Sequence, residues 1–189
     1  MLTENELIKF RRELHSYPET GWCEFVTTHK IVEKLRSFGL DPIYGRQVIN
    51  PEFVAGRNPA KVEEAKKAAL EKGVPPEFIE SMQDYTGVAA IFETGRPGPV
   101  LAIRFDMDCV DVDEAHEAGH RPFDEGWAST NPGHMHSCGH DGHATMGISV
   151  CNWIQENLDQ FCGTIKVVFQ PAEEGVRGAR PMTETGIFD

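Results

Sequence analysis

A chain of 189 residues, 40% hydrophobic and 25% charged, carries enough apolar material for one well-cored domain. Its formal net charge of -12 and isoelectric point near 5.1, with no basic patch, exclude nucleic acid and anionic membrane as main partners and leave a small ligand or another protein. Cys23, Cys109, Cys138, Cys151 and Cys162 form an odd set without a CxxC pair, and no basic segment followed by an apolar run opens the chain, so the expectation is a soluble, cytoplasmic protein with reduced thiols.

Thr3 followed by Glu6 has the form of a capping box, and Leu7, Phe10 and Leu14 recur at helical spacing, which predicts a first helix to about Ser16, ended by Pro18. A second helix is predicted from about Phe25, with Ile31, Val32, Leu35 and Phe38 on one stripe and Gly39 as its C-terminal cap. Residues 50–85 turn charged and Ala-rich, with Pro59 and Pro75-Pro76 opening helical stretches. Their thin apolar content predicts a helical insertion on the domain surface. Gly87–Glu93 and Pro99–Phe105 read as two strands tightly joined by the turn residues Thr94–Pro99, and Thr164–Gln170 reads as a third. Between them, Gly142 to about Glu156 reads as a buried helix with Met146, Val150, Trp153 and Ile154 as core candidates. This alternation predicts an α/β domain with a mixed or largely parallel sheet flanked by helices.

Chemistry gathers where these elements end, as ligand sites of α/β sheets do. The stretch His134-Met-His136-Ser-Cys138-Gly-His140-Asp141-Gly-His143 offers five imidazole or thiolate donors within ten residues. In an extended segment His136, Cys138 and His140 would share one face, and imidazole with thiolate suits zinc and similar divalent metals. The competing reading, a His-rich surface loop beside a buried Cys, is disfavoured by the clustering. Asp106-Met-Asp108 follows a predicted strand, and either carboxylate can bind metal or orient a ligand histidine, unless the segment is simply an acidic loop running through Asp111, Asp113 and Glu114. Glu173 and Glu174 also follow a strand. Adjacent carboxylates there point different ways, so that one can bind metal while the other acts as general base.

Taken in order, Arg11-Arg-Glu-Leu-His15 with Pro18-Glu-Thr-Gly21, Asp106-Met-Asp108, His136–His143 and Gln170-Pro-Ala-Glu-Glu-Gly175 resemble the successive signatures of the metal-dependent amidohydrolases of the aminoacylase and carboxypeptidase group. That group includes hippurate, auxin-conjugate and aminobenzoyl-glutamate hydrolases. Gly45–Asn50, the charged helical segment, Gly95–Pro99 and Gly175–Arg180 are most similar to its aminobenzoyl-glutamate branch. The resemblance spans essentially the whole chain and implies a three-layer catalytic domain of the zinc-peptidase type. It further implies Cys138, His140 and Glu174 as metal ligands, Glu173 as general base, Asp108 as the residue supporting a ligand histidine, and Asp106, His136, Asp141 and His143 as neighbours that support or structure the site. Two divalent ions, zinc or manganese, are expected per complete site, with an N-acyl amino acid such as p-aminobenzoyl-glutamate as substrate. The expected assembly is a homodimer or a heteromer with a paralogous subunit.

Members of the group are longer than this chain, and their remaining metal-ligand histidines would fall beyond Asp189, since no His follows His143. Their lid and dimerisation domain has no counterpart either. The expectation is therefore that residues 1–189 form the N-terminal part of a catalytic domain, inactive or weakly metal-binding by itself. Two other readings remain: a non-catalytic binding or regulatory subunit that pairs with a complementary chain, and a purely structural metal or thiol site, which gives Glu173 and Asp108 no role.

Overall fold

In the computed structural model, which describes all 189 residues, local capping chemistry sets the first two helices. Helix α1 (Glu4–His15) begins at a reciprocal cap: the Glu6 N–H donates to the Thr3 hydroxyl at 3.3 Å and the Thr3 N–H to the Glu6 carboxylate at 2.8 Å. Its inward face buries Phe10, Leu14 and His15. Helix α2 (Phe25–Arg36) buries Phe25, Ile31, Val32 and Leu35, and ends where Gly39 (φ +79°) lets the Leu40 N–H reach the Leu35 carbonyl at 3.3 Å. The start of α2 is capped from outside. The Glu19 carboxylate accepts the N–H groups of Val26 (3.0 Å) and Thr27 (2.7 Å), while burial pushes its pKa up to about 7 against these donors.

Helices α3 (Pro59–Glu71) and α4 (Pro76–Ser81) lie at the periphery, α3 against α2, yet Val62, Ala69, Val74, Phe78, Ile79 and Met82 join the main core. Most of the large apolar residues of this charged segment thus bury, Leu70 being exposed.

Strands β1 (Ile43–Tyr44), β2 (Val88–Glu93), β3 (Val100–Asp106) and β4 (Thr164–Gln170) form one four-stranded mixed sheet in the order β1-β2-β4-β3. Within it only β3 and β4 are parallel, in a register that sets Asp106 opposite Gln170; β2 is antiparallel to both β1 and β4. The tight joining of the first two predicted strands is therefore corrected, because β4 lies between them. The 94–99 connection crosses the start of β4 instead of closing a hairpin, and the Arg96 guanidinium fixes it there by donating to the carbonyls of Phe161 (2.7 Å) and Leu158 (2.6 Å). Turn residues specify a local reversal, not which strand becomes the neighbour.

After β3 the chain runs through a long connection holding a single helical turn, α5 (Arg121–Asp124), before helix α6 (His140–Glu156). Helix α6 lies on one face of the sheet, with α1 and α2 packed on it. Its closeness depends on Gly147, where an added Cβ would sit 2.5 Å from the Phe169 ring and 2.8 Å from that of Phe105. The buried stripe of α6 runs through Ala144, Gly147, Ile148, Cys151 and Ile154. Of the residues expected in the core, Ile154 is there and Val150 is half-buried, whereas Met146 and Trp153 are 52% and 48% exposed. Small residues let a helix approach a sheet, so the bulky stripe points outward.

Across the sheet, Ala89 and Val168 meet Trp22, Val48, Ile49, Ala172, Met182 and Ile187, a thin third layer of turns and the short helix α7 (Ala179–Thr183). No helix is long and apolar enough to cross a membrane.

Candidate metal centre

Because β3 and β4 are parallel and in register, the residues that follow them leave the same end of the sheet. This brings Asp106-Met-Asp108 beside Glu173-Glu174, though the two stretches are far apart in the sequence. The N-terminus of α6 arrives at the same place. Gly139, at φ +85°, turns the chain so that His140 is the first helical residue.

His140 is the shared member of two close groups of possible ligands, one with Asp106 and His143 and the other with Glu173 and Glu174. Its Nδ1 donates to the Asp108 carbonyl at 2.9 Å and lies 3.3 Å from Asp108 Oδ1 and 3.7 Å from Glu174 Oε1; its Nε2 lies 3.8 Å from Glu173 Oε2. A donor bond at Nδ1 leaves Nε2 as the nitrogen that can take a cation in exchange for its proton, the arrangement of a ligand histidine. Burial opposes charge on His140, but the Asp108 side chain and carbonyl outweigh it and raise its pKa to about 9. Asp108 is fully buried and also fixes the next strand end, its Oδ2 accepting the Glu174 N–H at 3.1 Å. One turn along α6, His143 stacks on His140 with ring centroids 5.3 Å apart and places Nδ1 3.3 Å from Asp106 Oδ2.

Asp106 Oδ1, Asp108 Oδ1, His143 Nδ1 and Glu174 Oε1 are all buried without a hydrogen-bond partner. Orphaned buried atoms of this kind are costly unless something else satisfies them. Three orphaned carboxylate oxygens and an imidazole nitrogen fit a divalent cation as oxygen and nitrogen donors.

The shared face expected for His136, Cys138 and His140 is corrected, because the chain is not extended there. It turns at Gly139, whose N–H donates to the His136 carbonyl at 3.3 Å, and enters the helix. The exposed Cys138 thiol stands outside both close groups, and a hydrogen bond to Glu174 raises its pKa to about 11. His136 is buried with neither ring nitrogen hydrogen-bonded, and burial lowers its pKa to about 4. Asp141 turns away into a second network. It accepts from Arg11 Nε (3.1 Å) and pairs with His15 Nδ1 (2.9 Å), while Glu114 holds His15 Nε2 (3.0 Å) and His120 Nε2 (2.8 Å). In the sequence Glu114 reads only as part of an acidic loop, and Glu24, buried beside the site, gives no signal; neither sits in a metal-ligand spacing that would mark it.

Residues 102–189 match the model of peptidase family M20/M25/M40. A Haemophilus influenzae homolog of a p-aminobenzoyl-glutamate hydrolase component is 47% identical over 98% of this chain, which spans 44% of that relative's length. A solved aminobenzoyl-glutamate utilization protein from Klebsiella pneumoniae superposes with a TM-score of 0.77 at 33% identity, covering 97% of this chain and 40% of its own. A dinuclear metal binding peptidase of the M20 family from Bacillus subtilis gives 0.71 at 29% identity, over 98% of this chain and 40% of its own. Residues 102–189 thus carry the likeness to peptidase family M20/M25/M40, and the whole chain is similar in sequence and fold to parts of these longer relatives.

Proposed function

We propose that this chain is the metal-binding part of an amidohydrolase that cleaves the amide bond of an N-acyl amino acid, with p-aminobenzoyl-glutamate as the first substrate to try. The observation that carries this reading is His140 shared by two close groups of possible ligands, in which Asp106 Oδ1, His143 Nδ1 and Glu174 Oε1 are buried without partners. It is supported by the name of the Haemophilus relative and by the dinuclear centre ascribed to the Bacillus protein. His140, Glu174 and Cys138 are the proposed ligands of two divalent ions, zinc or manganese, with Asp106 and His143 completing the surroundings of the second group. Bound there, such ions supply Lewis acidity to the scissile carbonyl and to water.

The remaining work falls to the chain's own groups. Asp108 holds the His140 ring through Nδ1 and the Glu174 backbone through Oδ2, which fixes two donors relative to each other. Glu173 is the more open of the acidic pair, 34% exposed against 22% for Glu174, and its Oε2 faces the free nitrogen of His140. It is assigned as general base, taking a proton from the attacking water and returning it to the amide nitrogen as the C–N bond breaks. The assembly is proposed as a homodimer or a heteromer with a paralogous partner chain, and the five free cysteines fit a reducing cytoplasm.

Glu173→Gln and Glu174→Gln separate these roles. Zinc titration calorimetry is expected to show binding retained in the first variant and lost in the second, and retention in both overturns the assignment. Release of p-aminobenzoate, measured on this chain and on a polypeptide of the relatives' length, tests the reaction. Zinc binding without turnover in the longer polypeptide would instead favour a binding or regulatory role.

A further inference from the structure

The short segment between α1 and α2 touches both strand ends that bear the site. The Glu19 carbonyl accepts the Cys109 N–H at 2.8 Å, and Thr20 forms a parallel bridge with Cys109, immediately after Asp108. Gly21 lies against the other strand end, where a Cβ would stand 2.9 Å from Ala172 Cα. Glu24, fully buried, then accepts the Ala172 N–H at 2.8 Å through Oε1 and the Thr86 hydroxyl at 2.6 Å through Oε2. Ala172 is a non-glycine residue at φ +51°, a conformation that persists only where its surroundings enforce it. It immediately precedes Glu173 and Glu174.

We propose that Glu24 is a positioning residue: its carboxyl group, anchored by Thr86, holds the Ala172 backbone in the left-handed conformation that aims Glu173 and Glu174 at His140. With Asp108 accepting the Glu174 N–H, two buried acids then bracket Glu173, one through the amide before it and one through the amide after it. Placing two acids in one dry pocket is electrostatically unfavourable. Burial and the nearby Asp108 raise the Glu24 pKa, and such an arrangement survives where the geometry it enforces is needed. Glu24 touches no reacting group and acts only through the turn. The inference rests on the roles given above to Glu173 and Glu174.

Glu24→Ala removes the acceptor and leaves the Ala172 N–H unsatisfied. Glu24→Gln keeps an oxygen for that N–H and sets its amide against the Thr86 hydroxyl, which can accept. Hydrogen exchange of the amides at 172 and 174 and the affinity for cobalt(II), whose spectrum reports ligand geometry, are to be measured on the full 189-residue chain. Glu24→Ala is expected to speed exchange at 172 and 174 and weaken cobalt binding by at least about tenfold, with the β2–β4 amides unchanged and Glu24→Gln restoring both. Wild-type exchange and cobalt affinity in Glu24→Ala overturn the proposal. If that variant does not fold, Thr86→Val decides in its place: the anchor is lost, exchange at 172 and cobalt affinity should change by about threefold, and no change overturns the proposal. If the wild-type chain binds no cobalt, the metal reading fails while exchange at 172 and 174 still decides the role of Glu24.

Discussion

Gly147→Ala sets helix propensity against packing, and the structure says which wins. In a helix interior the exchange gains about 1 kcal/mol. The new methyl would lie 2.5 and 2.9 Å from two atoms of the Phe169 ring and 2.8 Å from Phe105 Cδ2, whereas carbon atoms pack best at about 3.5–4.0 Å. Phe169 is fully buried, so its ring has nowhere to go and α6 must lift from the sheet by about 1 Å. Overpacking costs about 1–3 kcal/mol, and a clash with two rings at once belongs at the upper end, for a net destabilisation of about 2 kcal/mol. Gly142→Ala is the control. There the nearest atom is Arg11 Nε at 3.9 Å, and stability should rise by about 0.5–1 kcal/mol. Urea unfolding followed by circular dichroism reads both. Because α6 begins with His140, Gly147→Ala should also weaken zinc binding two turns away. A Gly147→Ala variant as stable as the wild type would refute the close seating of α6 and the link from that seating to the site.

His15 supplies a pH test. Burial opposes its charge, but hydrogen bonds to Asp141 and Glu114 outweigh it, so its folded pKa lies above the ordinary 6.5, while burial of the two acids is outweighed by the same contacts and their pKa values fall. The stabilisation from His15 is complete below pH 6.5 and lost as pH rises through the folded value; that from the acids is complete above about pH 4.5 and lost as pH falls. The stability gap between wild type and His15→Gln should be widest at pH 4.5–6.5 and narrow as pH rises further, and a gap independent of pH would show that the pairs carry no charge. The exposed stripe of α6 can be tested by Met146→Gln, expected to change stability by less than about 0.5 kcal/mol, against Ile148→Ala, expected to cost about 2–5 kcal/mol in the same unfolding assay. Equal effects would mean that the faces of α6 are assigned wrongly.

The features legible in the sequence are those whose cause is local. The Thr3/Glu6 cap, the Gly39 terminator and the boundaries of α2 and β4 rest on residues within a few positions of one another, and the structure reproduces them. Strand order is different, because the insertion of β4 between β2 and β3 is settled by how α6 covers the sheet and by where the 94–99 connection is pinned. The faces of α6 mislead for a related reason. Hydrophobic periodicity weighs bulk, whereas a helix that packs tightly on Phe105 and Phe169 needs its smallest residues there, so Gly147 marks the buried side and Met146 does not.

The same division runs through the site. Asp108, His140 and the Glu173/Glu174 pair are visible because their residue types are uncommon together and each follows a strand or opens a helix, and parallel register then brings them together without further specification. The alternation expected for His136, Cys138 and His140 depends on extended backbone, which a single left-handed glycine at 139 abolishes. Glu24 is silent for a deeper reason. The partner that matters to the site is the N–H of Ala172, 148 positions away, and backbone amides carry no sequence signature. A site assembled by strand register leaves its ligands legible, whereas the buried acids that hold its backbone in an uncommon conformation become visible only once the chain is folded.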